Sequence, residues 1–184
     1  MPHVLVPISN GTEEMEAVII IDMLRRAGIT VTVAGDGDVI ICSRGVKLVP
    51  DAILETLTDD DQFDAIVLPG GMQGVESLSA NESVVQILER HIASKRLVAA
   101  ICAAPLVLHD HALIPKGATI TSHPSVAGTL QDRYTYTLDR VVEDGTLVTS
   151  RGAGTAFEFS LALIRRLTSD AVATRVATDI VLYE

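Results

Sequence analysis

The sequence predicts an α/β fold, with a mostly parallel sheet covered by helices on both faces. Three observations carry this reading. The apolar segments are short and continuous, without the polar alternation of a sheet that has one wet face. Helical stretches separate them, the order expected of a layered α/β domain. Turn residues close several of the strands at their carboxyl ends.

Residues 4–8 form an apolar run that ends in Ser9-Asn10-Gly11, a turn signal. From Thr12 the period changes. Thr12 is placed as a helix N-cap, with Glu13 and Glu14 in a first turn whose dipole favours carboxylates. Met15, Ile19, Met23 and Ala27 fall at helical spacing, Val18, Ile20 and Leu24 widen the stripe, and Gly28 supplies the stop. Residues 29–34 alternate valine with threonine and read as the second strand. Residues 39–42 and 46–49 flank Ser43-Arg44-Gly45 as a short hairpin. Asp59-Asp60-Asp61 reads as a solvated loop before a buried strand at 65–68, which Pro69-Gly70-Gly71 closes.

A helix over 82–94 turns Val84, Val85, Leu88 and Ile92 inward. Another continuous apolar strand, 97–101, runs straight into Cys102 and a helix over 103–109. Residues 119–122, a hairpin around 139–145, a strand at 147–149 and a helix from Thr155 to about Leu167 complete the order. No repeat, low-complexity stretch or linker interrupts it, so residues 1–184 read as one domain.

The composition narrows the class. Apolar residues make up 48% of the chain, which is globular, and the formal charge is −10. An acidic surface repels phosphate backbones and anionic headgroups, which argues against nucleic acid or membrane as stable partners. The pairs Arg25-Arg26 and Arg165-Arg166 lie at helix ends, where arginine complements the dipole. The amino terminus lacks the basic and long apolar regions of a signal peptide and reads as a strand. Two cysteines, Cys42 and Cys102, make no disulfide framework, so the expected location is cytoplasmic, with the thiols reduced.

The chemistry centres on Cys102. Side chains at the carboxyl end of a parallel strand point into the ligand crevice. A nucleophile at a strand-to-helix turn needs small neighbours, and Ala100, Ala103 and Ala104 provide them. The amino terminus of the following helix is expected to lower the thiol pKa. Gly70 and Gly71 lie at another strand end, where bare backbone can supply N–H donors to an oxyanion. Glu16, on a largely apolar helix, is a candidate to face the same crevice.

Six motifs in order, Gly11-Thr12-Glu13-Glu14-Met15-Glu16, Cys42-Ser43-Arg44, Leu68-Pro69-Gly70-Gly71, Ala99-Ala100-Ile101-Cys102-Ala103-Ala104-Pro105, Thr121-Ser122-His123-Pro124 and Thr149-Ser150-Arg151-Gly152, span nearly the whole chain. The series resembles the ThiJ/PfpI superfamily, in the branch of the Parkinson-associated protein deglycase and its bacterial relatives. That resemblance implies a flavodoxin-like fold, a homodimer and Cys102 as nucleophile. It implies Glu16 as the residue hydrogen-bonded to that cysteine, and Gly70, Gly71 and Ala103 as backbone donors of the oxyanion site. It also implies His123 as a proton shuttle, Arg44 at the site mouth, Arg26 near the dimer contact and Cys42 as an accessory cysteine.

Two departures stand out. Protease-like relatives carry histidine after the nucleophile, where this chain has Ala103, which argues against peptidase chemistry. The family's Gly-Pro-Gly reads Gly152-Ala153-Gly154, so a rigid turn is lost.

A thiolate beside an ionised carboxylate is repelled, so the pair requires Glu16 to keep a proton and donate it to Cys102. The expected reaction is addition of Cys102 to a reactive carbonyl such as methylglyoxal or glyoxal, or to an early glycation adduct on a protein side chain. The alternative is a non-enzymatic oxidative-stress sensor or redox-regulated chaperone, working through oxidation of the same cysteine. No cofactor is expected, since the sequence has neither a phosphate-binding glycine loop nor a Walker pattern. No metal is expected either, because His109-Asp110-His111 lacks further ligands nearby.

Overall fold

The computed structural model describes residues 1–58 and 62–182, so the Asp59-Asp60-Asp61 loop lies outside the described residues. Its elements are β1 (His3–Ile8), α1 (Glu14–Arg26), β2 (Thr30–Gly35), β3 (Ile40–Ile41), β4 (Lys47–Leu48), β5 (Ala52–Ile53), β6 (Ala65–Leu68), α2 (Met72–Ala80), α3 (Glu82–Ala93), β7 (Leu97–Ile101), α4 (Pro105–Asp110), β8 (Thr119–Ile120), α5 (Ala127–Leu130), β9 (Thr135–Tyr136), β10 (Val141–Asp144), β11 (Leu147–Ser150), α6 (Ala156–Leu167) and α7 (Asp170–Asp179).

The central sheet runs β10-β11-β7-β6-β1-β2-β5, and β10 alone is antiparallel to its neighbour. Apart from the short edge strand β5, the parallel strands lie in the 2-1-3-4-5 order of flavodoxin-like sheets. The chain reverses direction across the sheet at β1, with β2 on one side and β6 on the other. The carboxyl ends of β1, β6 and β7 therefore open side by side, which is where such sheets place a ligand crevice.

The period of two divides each strand between two cores. Val4, Val6, Val67, Ala99, Ile101 and Val148 pack under α1, α6 and α7. Leu5, Ile66, Leu68, Val98 and Ala100 pack under α2, α3 and α4. Burial on both faces explains why the strands lack polar alternation.

The structure corrects several local expectations. The N-cap of α1 is Glu13, whose carboxylate accepts the Glu16 N–H at 2.8 Å. Thr12 is occupied elsewhere, its hydroxyl oxygen accepting the Ser9 N–H at 3.0 Å. The buried face of α1 is Glu16, Ala17, Ile20, Met23 and Leu24, while Met15 and Val18 are 56% and 45% exposed. Here α6 covers one side of the helix only, so the wide apolar stripe is split between core and surface. The helix after Cys102 begins at Pro105, because residues 102–104 form the turn itself.

Five elements carried too little sequence signal to be expected. Strands β5 and β9 have two residues each, α5 has four, α2 is interrupted by Gly74, and α7 buries only Ala173 and Val176.

Phe159 on α6 is fully buried between the sheet and α1. Phe159→Ala is expected to cost about 3–5 kcal/mol, read as a lowered urea midpoint at unchanged slope.

Candidate active site

The site begins with a backbone constraint. Cys102 has φ 65°, the left-handed region that a residue with a Cβ normally avoids. Two bonds hold it there. Its N–H donates to the Ser150 carbonyl at 3.0 Å, extending the pairing of β7 with β11, and its carbonyl accepts the His123 N–H at 2.8 Å. The resulting elbow lifts the half-buried thiol off the end of β7 into the crevice.

Glu16 comes to it from the first turn of α1 and is completely buried. One carboxyl oxygen, Oε2, accepts the Gly70 N–H at 2.7 Å. The other, Oε1, is buried with no hydrogen-bond partner among the described residues. Gly70 is wedged between the two functional groups. A Cβ there would stand 2.6 Å from both Cys102 Cβ and Glu16 Oε2, so only glycine admits the approach.

Gly71 (φ 91°) turns the chain into α2, with no room for a Cβ against the Gly11 carbonyl. The Glu13 N–H donates to the Gly70 carbonyl at 2.9 Å, tying this loop to the start of α1.

Burial pushes the Glu16 carboxyl up to about 7, against the opposing hydrogen bonds from Gly70 and Cys102. The Cys102 thiol is pushed up to about 12, by burial first and then by the charge and hydrogen bonding of Glu16. The N–H groups of Ala103 and Gly71 hydrogen-bond the sulfur and pull the other way. The lowered thiol pKa expected from the helix dipole is therefore not found. The helix starts too late, and burial, followed by the carboxylate, outweighs it. Burial raises both groups and the charge of Glu16 raises the thiol further, so the pair keeps at least one proton at neutral pH. A proton held on Glu16 removes the repulsion, and the sulfur can then be anionic.

His123 joins the elbow through its backbone. Its imidazole is exposed, and Nδ1 accepts the Ser125 N–H at 3.2 Å and meets the Ser125 hydroxyl at 2.8 Å. A backbone N–H cannot reverse its role, so Nδ1 is the acceptor and the neutral ring carries its proton on Nε2.

Arg44 and Cys42 lie on the β3–β4 hairpin. The Arg44 guanidinium is exposed and donates to the Ser43 carbonyl at 3.2 Å. Cys42 is buried and pushed up to about 11, by burial and then by the charges of Glu14 and Glu13. Their partners belong to the hairpin and α1, not to the Cys102 group. Arg26 pairs with Asp22 at 2.5 Å on the exposed side of α1.

Two supporting residues escaped the sequence reading. Glu14, nearly buried, accepts the Ser43 hydroxyl and the Arg44 N–H, both at 2.7 Å, and so clamps the hairpin to α1. Burial alone would raise its pKa, but hydrogen bonds from its own N–H, Ser43 and Arg44 hold it below the usual carboxylate range. The signal was the run of acids Glu13, Glu14 and Glu16 opening an apolar helix, more carboxylates than the dipole alone requires. Thr155 replaces the missing proline of the 152–154 turn. Its hydroxyl donates to the Gly152 carbonyl at 2.9 Å and accepts the N–H groups of Gly152 and Arg151 at 3.1 and 3.2 Å.

The family model for the DJ-1/PfpI family matches residues 2–166. A Parkinson disease protein 7 homolog from Danio rerio is 42% identical over 98% of this chain and 97% of its own length. The glutathione-independent glyoxalase DJR-1.2 of Caenorhabditis elegans is 34% identical over 84% of this chain and 82% of its own. Among solved structures, Drosophila melanogaster DJ-1beta superposes with a TM-score of 0.94 at 41% identity, covering 100% of this chain and 99% of that one.

The raised Glu16 pKa has a sign for stability. The unfolded carboxyl, with a pKa of 4.5, ionises before the folded one at about 7, so the folded state binds more protons between those values and stability falls as pH rises through them. Glu16→Gln should remove this dependence, leaving the variant more stable than wild type at neutral pH by up to about 3 kcal/mol and not below pH 4.5, measured by urea unfolding at both ends of the window.

Proposed function

The chain belongs to the DJ-1/PfpI family, and on that premise we propose that it is a cysteine-dependent glyoxalase that also acts on early glycation adducts of protein side chains. The observation that carries this reading is the Cys102 thiol on its strained elbow, with a buried, proton-retaining carboxyl on one side and the N–H groups of Gly71 and Ala103 on the other. A family relative named as a glutathione-independent glyoxalase supports the same reaction class.

In this scheme Glu16 holds the pair's single proton while the Cys102 thiolate adds to the aldehyde carbon of methylglyoxal. The N–H groups of Gly71 and Ala103 receive the developing oxyanion, as donors placed before the charge appears. Transfer of the aldehyde-derived proton to the neighbouring carbon turns the hemithioacetal into a thioester of the hydroxy acid. Water then releases lactate and regenerates the thiol. Oxidation at one carbon balances reduction at the next, so no external redox partner is consumed. His123 relays the aldehyde-derived proton, taking it from the first carbon as a base and returning it to the second as an acid. An early glycation adduct presents the same carbonyl, already added to a side-chain amine.

The homodimer belongs to the same reading. Exposed Met15 and Val18 on α1 continue into Val49 beside the hairpin, which is 76% exposed, and Val18, Ile21, Leu48 and Val49 line one depression. This apolar surface fits a second copy of the chain. The expected location is the cytoplasm; among the described residues no helix is long and apolar enough to cross a membrane.

Wild type should form lactate from methylglyoxal over many turnovers in amine-free buffer. Cys102→Ser should abolish turnover, and Glu16→Gln should slow it by about a hundredfold while the thiol remains. Consumption of one equivalent per chain by wild type would defeat the enzyme reading. For the dimer, Val18→Asp should halve the mass measured by light scattering without changing the circular dichroism spectrum.

A further inference from the structure

Asparagine occurs twice in this chain, and only Asn10 is followed by glycine. Glycine leaves the next amide nitrogen unhindered, so it can reach the asparagine side-chain carbonyl. The fold cannot replace that glycine. Gly11 has φ 87°, and a Cβ would stand 2.5 Å from the Cβ of Gln73 on α2. A chemically labile pair is therefore fixed at the mouth of the crevice.

Both reacting groups are held by one residue of the hairpin. Asn10 Oδ1 accepts the Ile41 N–H at 2.8 Å, and the Gly11 N–H donates to the Ile41 carbonyl at 2.8 Å. The hairpin is itself fastened by the Ser43 N–H donating to the Thr12 carbonyl at 2.9 Å and by the Glu14 clamp. Its two strands have two residues each, so few bonds separate the docked state from an open one.

We propose that Asn10 is a deamidation site gated by the docking of the β3–β4 hairpin. When the hairpin opens, the Gly11 nitrogen loses its proton to solvent and attacks Asn10 Cγ. The new C–N bond closes a succinimide as the Cγ–Nδ2 bond breaks and ammonia leaves. Water opens the ring at either carbonyl to give aspartate or isoaspartate. The product adds a carboxylate beside Glu13 and Glu14, and in the isoaspartate form the oxygen that accepts the Ile41 N–H is displaced. The isoaspartate form also inserts a methylene into the loop where the Thr12 N–H meets the Ser9 carbonyl at 3.0 Å. That loop sets the start of α1 and with it Glu16, so the modified chain carries a displaced carboxyl.

The test is peptide mass spectrometry of the full chain, aged in mildly alkaline buffer, with Asn81-Glu82 as internal standard. It compares the native protein, the chain in urea, and the folded variants Glu14→Gln and Ser43→Ala. Asn10 should convert far faster than Asn81 in urea, at least about tenfold slower in the native protein, and at intermediate rates in the two variants. Equal rates at Asn10 and Asn81 in urea would overturn the site. A native rate equal to that in urea, or both variants ageing like wild type, would overturn the gate.

Discussion

A carboxyl buried against a thiol can hold one negative charge but not two. The rest of the site follows from this constraint. Glu16 is fully buried and Cys102 half-buried, and Gly70 is bare so that they can meet. Burial raises both groups, the charge of Glu16 raises the thiol further, and the pair keeps a proton at neutral pH. Placing that proton on Glu16 turns an energetic penalty into a hydrogen-bond donor beside an anionic sulfur. Desolvation gives the site its reactivity, and the N–H groups of Gly71 and Ala103 give the charge a place to go.

Holding the pair together requires three loops from distant parts of the sequence. The β1–α1 loop brings Glu16, the β6–α2 loop brings Gly70 and Gly71, and the β7–α4 turn brings Cys102. Parallel pairing aligns their strand ends, and the bond from the Glu13 N–H to the Gly70 carbonyl locks the first two loops to each other. Glu14 then fixes the hairpin against the same helix start. Strain at Cys102 persists because bonds to Ser150 and His123 hold both of its peptide groups. A change at Asn10, remote in chemistry from the thiol, reaches Glu16 through this framework.

The sequence made the layered fold legible because burial on both faces leaves an unambiguous mark: continuous apolar strands at 65–68 and 97–101. It also exposed the elbow, since Ala100, Ala103 and Ala104 lie around Cys102. Its helical periodicity was less decisive in α1. Apolar residues surround that helix, and the pattern cannot say which of them meet α6 and which meet solvent or a second copy. Elements with little burial, such as α7, or with a glycine inside, such as α2, left almost no periodic signal.

By itself, the sequence determined the class of fold, the order of its main elements and the candidate nucleophile, because these depend on local pattern and on residue chemistry. Only the tertiary structure decided the protonation of that nucleophile. Glu16 is one of three carboxylates at the head of α1, and nothing in the local sequence says that Glu13 caps the helix, Glu14 clamps a hairpin and Glu16 faces a thiol. That division depends on which surface each rotation of the helix presents, and on the solvent that packing removes. A thiol expected to be acidic from its place before a helix is instead raised first by its own burial and then by a buried carboxyl 86 residues away in the chain, since electrostatics follows distance in space and not along the sequence.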